Sequence, residues 1–184
     1  MANRLHLGSL IGTLSLVLAA SGATHEAVAR LPWAATSGLH FVDAVVAADN
    51  YRAAAGGLAV KTSPSPDVRD FGRMLWVDSI ENTRRLKWVL TRTGPGIVLP
   101  ASVSTHYMFV IDELVTVGGE AFDRRFIAQQ TASLQQALAL AQAYARAGDD
   151  LDLKEFAARS VPNIQMQLDR ILQIERRHER LAPP

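Results

Sequence analysis

Hydrophobic residues recur every three or four positions through most of this chain, a spacing that predicts amphipathic helices. The pattern is strongest in four long segments, residues 39–62, 66–93, 120–148 and 152–181, each bounded by glycine, proline or a capping residue. In the first segment the spacing places an inward row at Leu39, Val42, Val46, Ala53, Gly57 and Val60. Four such helices can bury their apolar faces only against one another, so the pattern predicts a helical bundle.

The long connection between the second and third segments carries a short apolar stretch, residues 102–117, which predicts an extra helix. The fold class is therefore all-α, a ferritin-like four-helix bundle with one long crossover. Because the crossover helix is apolar on most sides, we expect it to cover apolar side chains outside the inward face of the second helix. The alternative is a contact surface for a homodimer or an envelope protein, formed by Val77, Trp88, Tyr107 and Phe109.

Polar residues lie near the midpoints of the inward faces. Those expected in or beside the core are Ser79, Asn82, Gln130, Ser133 and Gln167, together with the carboxylate of Asp49. An interior hydrogen-bond network is the preferred interpretation, because a buried polar group without a partner destabilises a protein by roughly 1–3 kcal/mol. A polar cavity in a small-molecule carrier is the alternative.

Metal chemistry has weaker support. A di-iron bundle needs a glutamate from each of two helices and an E-x-x-H pair from each of the other two. A single such pair occurs, ending at His178 inside a charge cluster, which is typical of a solvated helix end. The alternative is a degenerate metal-binding protein or oxidase that uses carboxylates as ligands. The weak candidates for these ligands are Asp49, Asp78 and Glu81.

Catalysis and nucleic-acid binding find little support in the composition. The chain has no cysteine and no nucleophile elbow, so the sequence predicts no catalytic residue and no cofactor, and favours a protein that is not an enzyme. A net charge of +1 argues against a general attraction to nucleic acid or anionic lipid.

The N-terminus predicts export. Arg4 precedes an uncharged run at residues 5–20, which is shorter than the roughly 20 residues that span a bilayer. Small residues follow and predict a signal peptide over residues 1–23, cleaved after Ala23 or Ala29. No membrane span is expected to remain after this cleavage.

Serine stands at position 21, where a lipoprotein would carry its lipid-bearing cysteine, so no lipid anchor is expected. Residues 24–38 then form a tether and residues 39–181 the bundle domain. The prediction is a non-enzymatic protein of the periplasm, or a secreted one, acting by binding or interaction in the cell envelope.

Several short motifs occur in an order that resembles a bacterial family of exported proteins of unknown function, often labelled outer-membrane proteins. They include Phe41-Val42, Gly57-Leu58-Ala59, Ser65-Pro66-Asp67-Val68, Leu99-Pro100, Phe122-Asp123 and Val161-Pro162. The resemblance implies a ferritin-like bundle and an exported address. The family pattern also carries a glutamate and three histidines, at positions held here by Arg52, Ser79, Leu134 and Gln167. No metal ligand can therefore be carried over.

Overall fold

The computed structural model describes residues 37–93, 99 and 104–181, and all regular structure in these ranges is α-helical. The helices are α1 (Gly38–Thr62), α2 (Pro66–Thr93), α3 (Thr105–Val115), α4 (Gly119–Ala147) and α5 (Leu151–Leu181). The predicted all-helical class is confirmed, and no predicted boundary differs from the observed one by more than three residues. The predicted signal peptide and most of the predicted tether lie outside the described residues.

The helix boundaries follow from local chemistry. At the start of α2, the Ser65 hydroxyl oxygen accepts a hydrogen bond from the Val68 backbone N–H at 3.5 Å, while Pro66 occupies the first helical position. Between α3 and α4, Gly119 has a φ of 58°, a left-handed conformation that glycine adopts without steric strain. These residues separate the helices without long loops.

The four long helices pack around two apolar clusters. α1 lies against α2 and α4, and α5 lies against α4 and α2. The first cluster, which we call the Phe126 cluster, contains Phe71, Leu75, Phe122, Phe126, Leu134, Ile171 and Ile174. The second, the Phe41 cluster, contains Phe41, Val42, Leu86, Tyr144 and Phe156. Between these clusters α1 and α2 carry several buried and half-buried polar residues, among them those of the site described below.

α1 and α2 approach closely where two glycines face each other. A Cβ atom added at Gly56 would lie 2.4 Å from the carbonyl oxygen of Gly72, and one added at Gly72 would lie 2.7 Å from the Cβ of Ala59. Any larger side chain would push the backbones apart. This close approach holds the polar residues of α1 and α2 within hydrogen-bonding distance of each other.

The predicted inward row of α1 is wrong in part. Val42 and Val46 are buried, as is Asp49, but Leu39 is exposed, and Phe41 and Arg52 are buried although they lie outside the predicted row. Most of α1 is built from small apolar residues on every side, so a spacing of three or four fits more than one face. The neighbouring helices select the face that is buried.

The predicted cover for the outer face of α2 is also wrong. α3 packs against α1 and α4, where Leu114 is buried and the Tyr107 ring stacks on the Tyr51 ring with centroids 4.6 Å apart. Val77, Ile80 and Trp88 consequently stay exposed, the last at 62%. None of the five described helices contains a stretch with the length and hydropathy of a membrane span.

Candidate functional site

A buried ion pair occupies the polar stretch of α1 between the two apolar clusters. Asp49 and Arg52 are 2% and 5% exposed, and Arg52 Nη2 donates to Asp49 Oδ1 at 2.5 Å. A separation of three residues puts both side chains on one face of the helix, so the pair can form within α1 alone. Mutual neutralisation and further hydrogen bonds offset the loss of hydration that burying two charges causes.

α2 supplies the remaining contacts of the Asp49 carboxylate. Asn82 Nδ2 donates to Asp49 Oδ2 at 2.8 Å, and the Thr83 hydroxyl donates to the same oxygen at 3.2 Å. Burial raises the pKa of Asp49, while the Arg52 charge and the hydrogen bonds from Asn82, Arg52 and Thr83 oppose that rise. Both carboxylate oxygens accept hydrogen bonds, which is the pattern of an ionised carboxylate.

A second set of hydrogen bonds joins α1 to α4. Gln130 Nε2 donates to the Tyr51 hydroxyl oxygen at 2.9 Å, and that hydroxyl donates to Gln129 Oε1 at 3.1 Å. Burial raises the pKa of Tyr51. Tyr51 therefore links the two helices as a neutral donor and acceptor, with Tyr107 of α3 stacked on its ring.

Next to the ion pair lies a cavity of about 120 Å³, which we call the core cavity. Among the described residues, those that form its polar lining are Arg52, Asn82, Tyr107, Ser133, Gln136 and Ser160, and the others in its wall are apolar. Two of these residues carry buried polar atoms, Arg52 Nη1 and Ser133 Oγ, for which the described residues supply no hydrogen-bond partner. Both atoms have almost no accessible surface, so other atoms of these two residues line the core cavity.

A larger open groove of about 610 Å³ runs between α2 and α5, beside the core cavity. Asn82, Phe156, Ser160 and Ile164 line both spaces, so the groove and the core cavity are neighbours. The outer part of the groove carries Trp88 and four arginines: Arg84, Arg85, Arg92 and Arg159. Arg92 lies over the Trp88 ring at 5.0 Å from its centroid.

The other predicted polar residues lie close to the site, though not all within it. Ser79, Gln130, Ser133 and Gln167 are buried, and Asn82 is half-buried. Gln167 Nε2 donates to Asp78 Oδ2 at 2.8 Å, a contact between α5 and α2. Of the five, only Asn82 and Ser133 line the core cavity.

The three carboxylates that were predicted as weak metal ligands each contact a different side chain. Asp49 pairs with Arg52, Asp78 accepts from Gln167, and the partly exposed Glu81 pairs with Arg84 at 2.8 Å. The described residues contain no group of three or more His, Cys, Asp or Glu side chains that could hold a metal ion. His178, from the E-x-x-H pair, lies 3.3 Å from the Ser65 hydroxyl, far along the chain from the ion pair.

The residues named as an interaction surface divide between two places. Val77 and Trp88 are exposed on α2, and Trp88 lines the groove with α5. Phe109 is exposed on α3, which packs on α1 and α4, whereas Tyr107 is half-buried against Tyr51. The packing thus assigns Tyr107 to the core cavity and its surroundings.

Sequence reasoning missed Arg52 as a member of this site. Arginine is mostly exposed in proteins, which made a solvated position the ordinary expectation. The available signal was the three-residue spacing from Asp49 within a helix whose other residues are mainly alanine, valine and glycine. A charge pair in such surroundings indicates a buried ion pair.

Comparison with known proteins establishes the family. The model of the family described as "Domain of unknown function (DUF4142)" matches residues 23–174, so the chain belongs to this family. None of the curated proteins matches it. The solved structure described as "CopM in the Cu(II)-bound form" is similar, with a TM-score of 0.64 over 77% of this chain and 97% of that chain. At 14% identity, this likeness shows the fold alone.

Proposed function

We propose that this protein is a non-enzymatic binding protein of the bacterial periplasm, exported by a signal peptide at residues 1–23, and that it holds a small ligand in the core cavity. In this proposal its domain is a ferritin-like four-helix bundle, and the polar residues between the Phe41 and Phe126 clusters recognise the ligand. The observation that carries the proposal is the core cavity itself, in which the polar side chains of Arg52, Asn82, Ser133 and Ser160 line the wall together with apolar ones.

A cavity that combines a mostly apolar wall with a few polar side chains is the usual form of a small-molecule site. The polar part of this wall includes Arg52, Ser133 and Ser160, and its apolar part includes Val45 and Leu140. A small molecule that fits the cavity can therefore be held by apolar contact and oriented by hydrogen bonds. The neighbouring groove offers that molecule a way to reach the cavity from solvent.

The same geometry supports binding over catalysis. Both oxygens of the buried Asp49 carboxylate already accept hydrogen bonds, which leaves it poorly placed as a base or nucleophile. No histidine is found among the described residues that line the core cavity. CopM is described with Cu(II) bound, but the described part of the present chain lacks a matching cluster of His, Cys, Asp or Glu, so copper is not part of the proposal.

Filling the core cavity should abolish ligand binding. Ala137 lines it, so Ala137→Leu would place three extra carbon atoms inside, whereas Ala132→Leu adds the same atoms on the exposed face of the same helix. The measurement is ligand-observed NMR with a panel of small polar organic molecules of about four to eight non-hydrogen atoms, a size suited to a cavity slightly below the 150 Å³ one that binds benzene.

We expect several panel members to bind the unmodified protein and the Ala132→Leu variant, and none to bind Ala137→Leu. If the unmodified protein binds no member of the panel, or if the two variants behave alike, the proposal is wrong. Native mass spectrometry of protein purified from the periplasm then identifies any molecule retained by the unmodified chain.

We also propose a second copy of the chain as the partner of the exposed apolar stripe on α2. Val77, Ile80 and Trp88 follow one another at intervals of three and eight residues, which keeps them on one side of the helix, and each is more than half exposed. Exposed apolar groups aligned in this way are typical of contact surfaces.

Sedimentation velocity tests this contact. The unmodified protein should form a concentration-dependent dimer, and Ile80→Asp should shift it to the monomer by burying a charge in the interface. Phe109→Asp, an equally polar change on α3, should leave the dimer intact. A protein that stays monomeric at its highest soluble concentration contradicts the proposal for α2 and leaves the core cavity unaffected.

A further inference from the structure

We infer that the open groove between α2 and α5 binds a linear amphiphile with one negative charge, such as the carboxylate of an acyl chain. This second site goes beyond the ligand proposed for the core cavity, which lies beside the groove. The carboxylate would contact Arg85 at the rim, and the chain would lie on the apolar side chains of Val89, Phe156 and Ile164.

The groove is long and lies between two places where side chains of α2 and α5 meet. At one end Gln167 Nε2 donates to Asp78 Oδ2 at 2.8 Å, and at the other Arg92 Nη2 is 4.0 Å from Asp152 Oδ1. The lining residues of α2 run from Asn82 to Arg92, a length of about 15 Å at 1.5 Å per residue. The volume of about 610 Å³ is typical of small-molecule sites, and the length favours an extended ligand.

Four arginines line the groove, and three of them already contact a carboxylate. Arg84 donates to both carboxylate oxygens of Glu81, at 2.9 and 2.8 Å, and Arg159 pairs with Glu155. The third has the contact at 4.0 Å given above. Arg85 is exposed and has no ion-pair partner among the described residues. An anion with a single charge would balance this arginine, whose guanidinium can donate two parallel hydrogen bonds to a carboxylate.

The side chains next to these arginines give the groove an apolar surface. Val89 of α2 and Ile164 of α5 are half-buried, Phe156 is buried, and Trp88 adds an exposed ring at the rim. Arg85 and Val89 are four residues apart and share one face of α2, so a carboxylate on Arg85 leaves its chain beside Val89. A small anion would leave this apolar surface in water, whereas an acyl chain would cover it.

Isothermal titration calorimetry of the full chain with decanoate, kept below its critical micelle concentration, tests the ligand class. Butyrate carries the same charge on a shorter chain, and decylammonium carries the opposite charge on a chain of the same length. We expect decanoate to bind at least about tenfold more tightly than either, a difference that corresponds to about 1.4 kcal/mol. Binding of butyrate or decylammonium that equals or exceeds that of decanoate, or no binding of decanoate, would overturn the inference.

Two variants on α2 test the position of the carboxylate. Arg85→Gln removes the arginine that has no ion pair and should weaken decanoate binding about fivefold, which corresponds to about 1 kcal/mol, the upper end for exposed ion pairs. Lys87→Gln removes the same charge from an exposed position that is not among the groove residues, and should leave binding unchanged. Equal effects of the two variants would show a response to net charge alone and would contradict a site at Arg85.

The Ala137→Leu variant distinguishes the groove from the core cavity, because Ala137 lines only the latter. It should bind decanoate as the unmodified protein does. A loss of binding in this variant would place decanoate in the core cavity and overturn the groove site. If decanoate fails to bind but members of the fragment panel do bind, the groove site is wrong and the proposed function stands.

Two other occupants are separated by further measurements. Trp88 also belongs to the exposed apolar stripe on α2, so a second copy could cover the rim of the groove. Decanoate should bind the unmodified protein and Ile80→Asp alike, and binding to Ile80→Asp alone would assign the groove to the second copy. Cosedimentation with phosphatidylglycerol vesicles that Arg85→Gln abolishes, without binding of free decanoate, would assign it to a membrane surface. Either result would overturn the amphiphile site.

Discussion

Replacing Asp49 with alanine should lower the free energy of unfolding by about 3–5 kcal/mol, because it leaves the Arg52 guanidinium buried without a counterion. Arg52→Met should cost a similar amount, since the Asp49 carboxylate then lacks its cationic partner. The double variant Asp49→Leu/Arg52→Met should be less destabilised than either single variant, because it removes both charges and replaces them with apolar atoms. Urea denaturation at neutral pH measures all three.

The exposed ion pair between Asp70 and Arg73 provides a matched control, as it has the same three-residue spacing and a distance of 2.8 Å. Asp70→Ala should change stability by only about 0–1 kcal/mol, the range of solvent-exposed pairs. If Asp49→Ala and Asp70→Ala have equal effects, or if the double variant is less stable than both single variants, the buried pair does not behave as the geometry indicates.

Replacing Phe126 with alanine should destabilise the protein by about 3–5 kcal/mol, the usual range for removing a fully buried aromatic side chain. Its ring stacks on Phe122 with centroids 6.0 Å apart and meets Phe71 edge to face at 6.4 Å. The substitution therefore removes two aromatic contacts as well as apolar burial. Phe71→Ala should have an effect of similar size, because that ring is also buried.

Phe109→Ala is the matched control for this prediction. Phe109 is 68% exposed on α3, so its truncation should shift the unfolding free energy by no more than about 0.5 kcal/mol. Chemical denaturation with a common slope gives both values. A loss below about 1 kcal/mol for Phe126→Ala would show that the Phe126 cluster does not stabilise the bundle in the way that its burial indicates.

Much of the fold follows from the sequence because glycine, proline and capping residues mark the ends of the helices. Ser65 and Pro66 open α2, and the glycines on either side of α4 bound that helix within one residue of the prediction. The inward face of α2 was also predictable, because ten charged residues occupy positions outside it. α1 offers no such contrast between its faces, and its buried side is decided by the helices around it.

The position of α3 and the core cavity depend on packing that no single segment encodes. α3 has apolar residues on most sides, and its sequence gives no reason to prefer α1 and α4 over α2. The core cavity combines Arg52 from α1, Asn82 from α2, Ser133 from α4 and Ser160 from α5. The shape of the core cavity depends on the distances between four helices. The hydrophobic periodicity of each helix gives no information about these distances.

The polar stretch between the Phe41 and Phe126 clusters also fixes the alignment of α1 and α2. If α1 slid along α2 by one helical turn, about 5.4 Å, the clusters would still find apolar neighbours. In one direction, however, the Asp49 carboxylate would leave Asn82 and Thr83 and face the buried side chain of Leu86. Because a misaligned bundle would bury the Asp49 carboxylate among apolar side chains without hydrogen-bond partners from α2, the two helices have one favoured register.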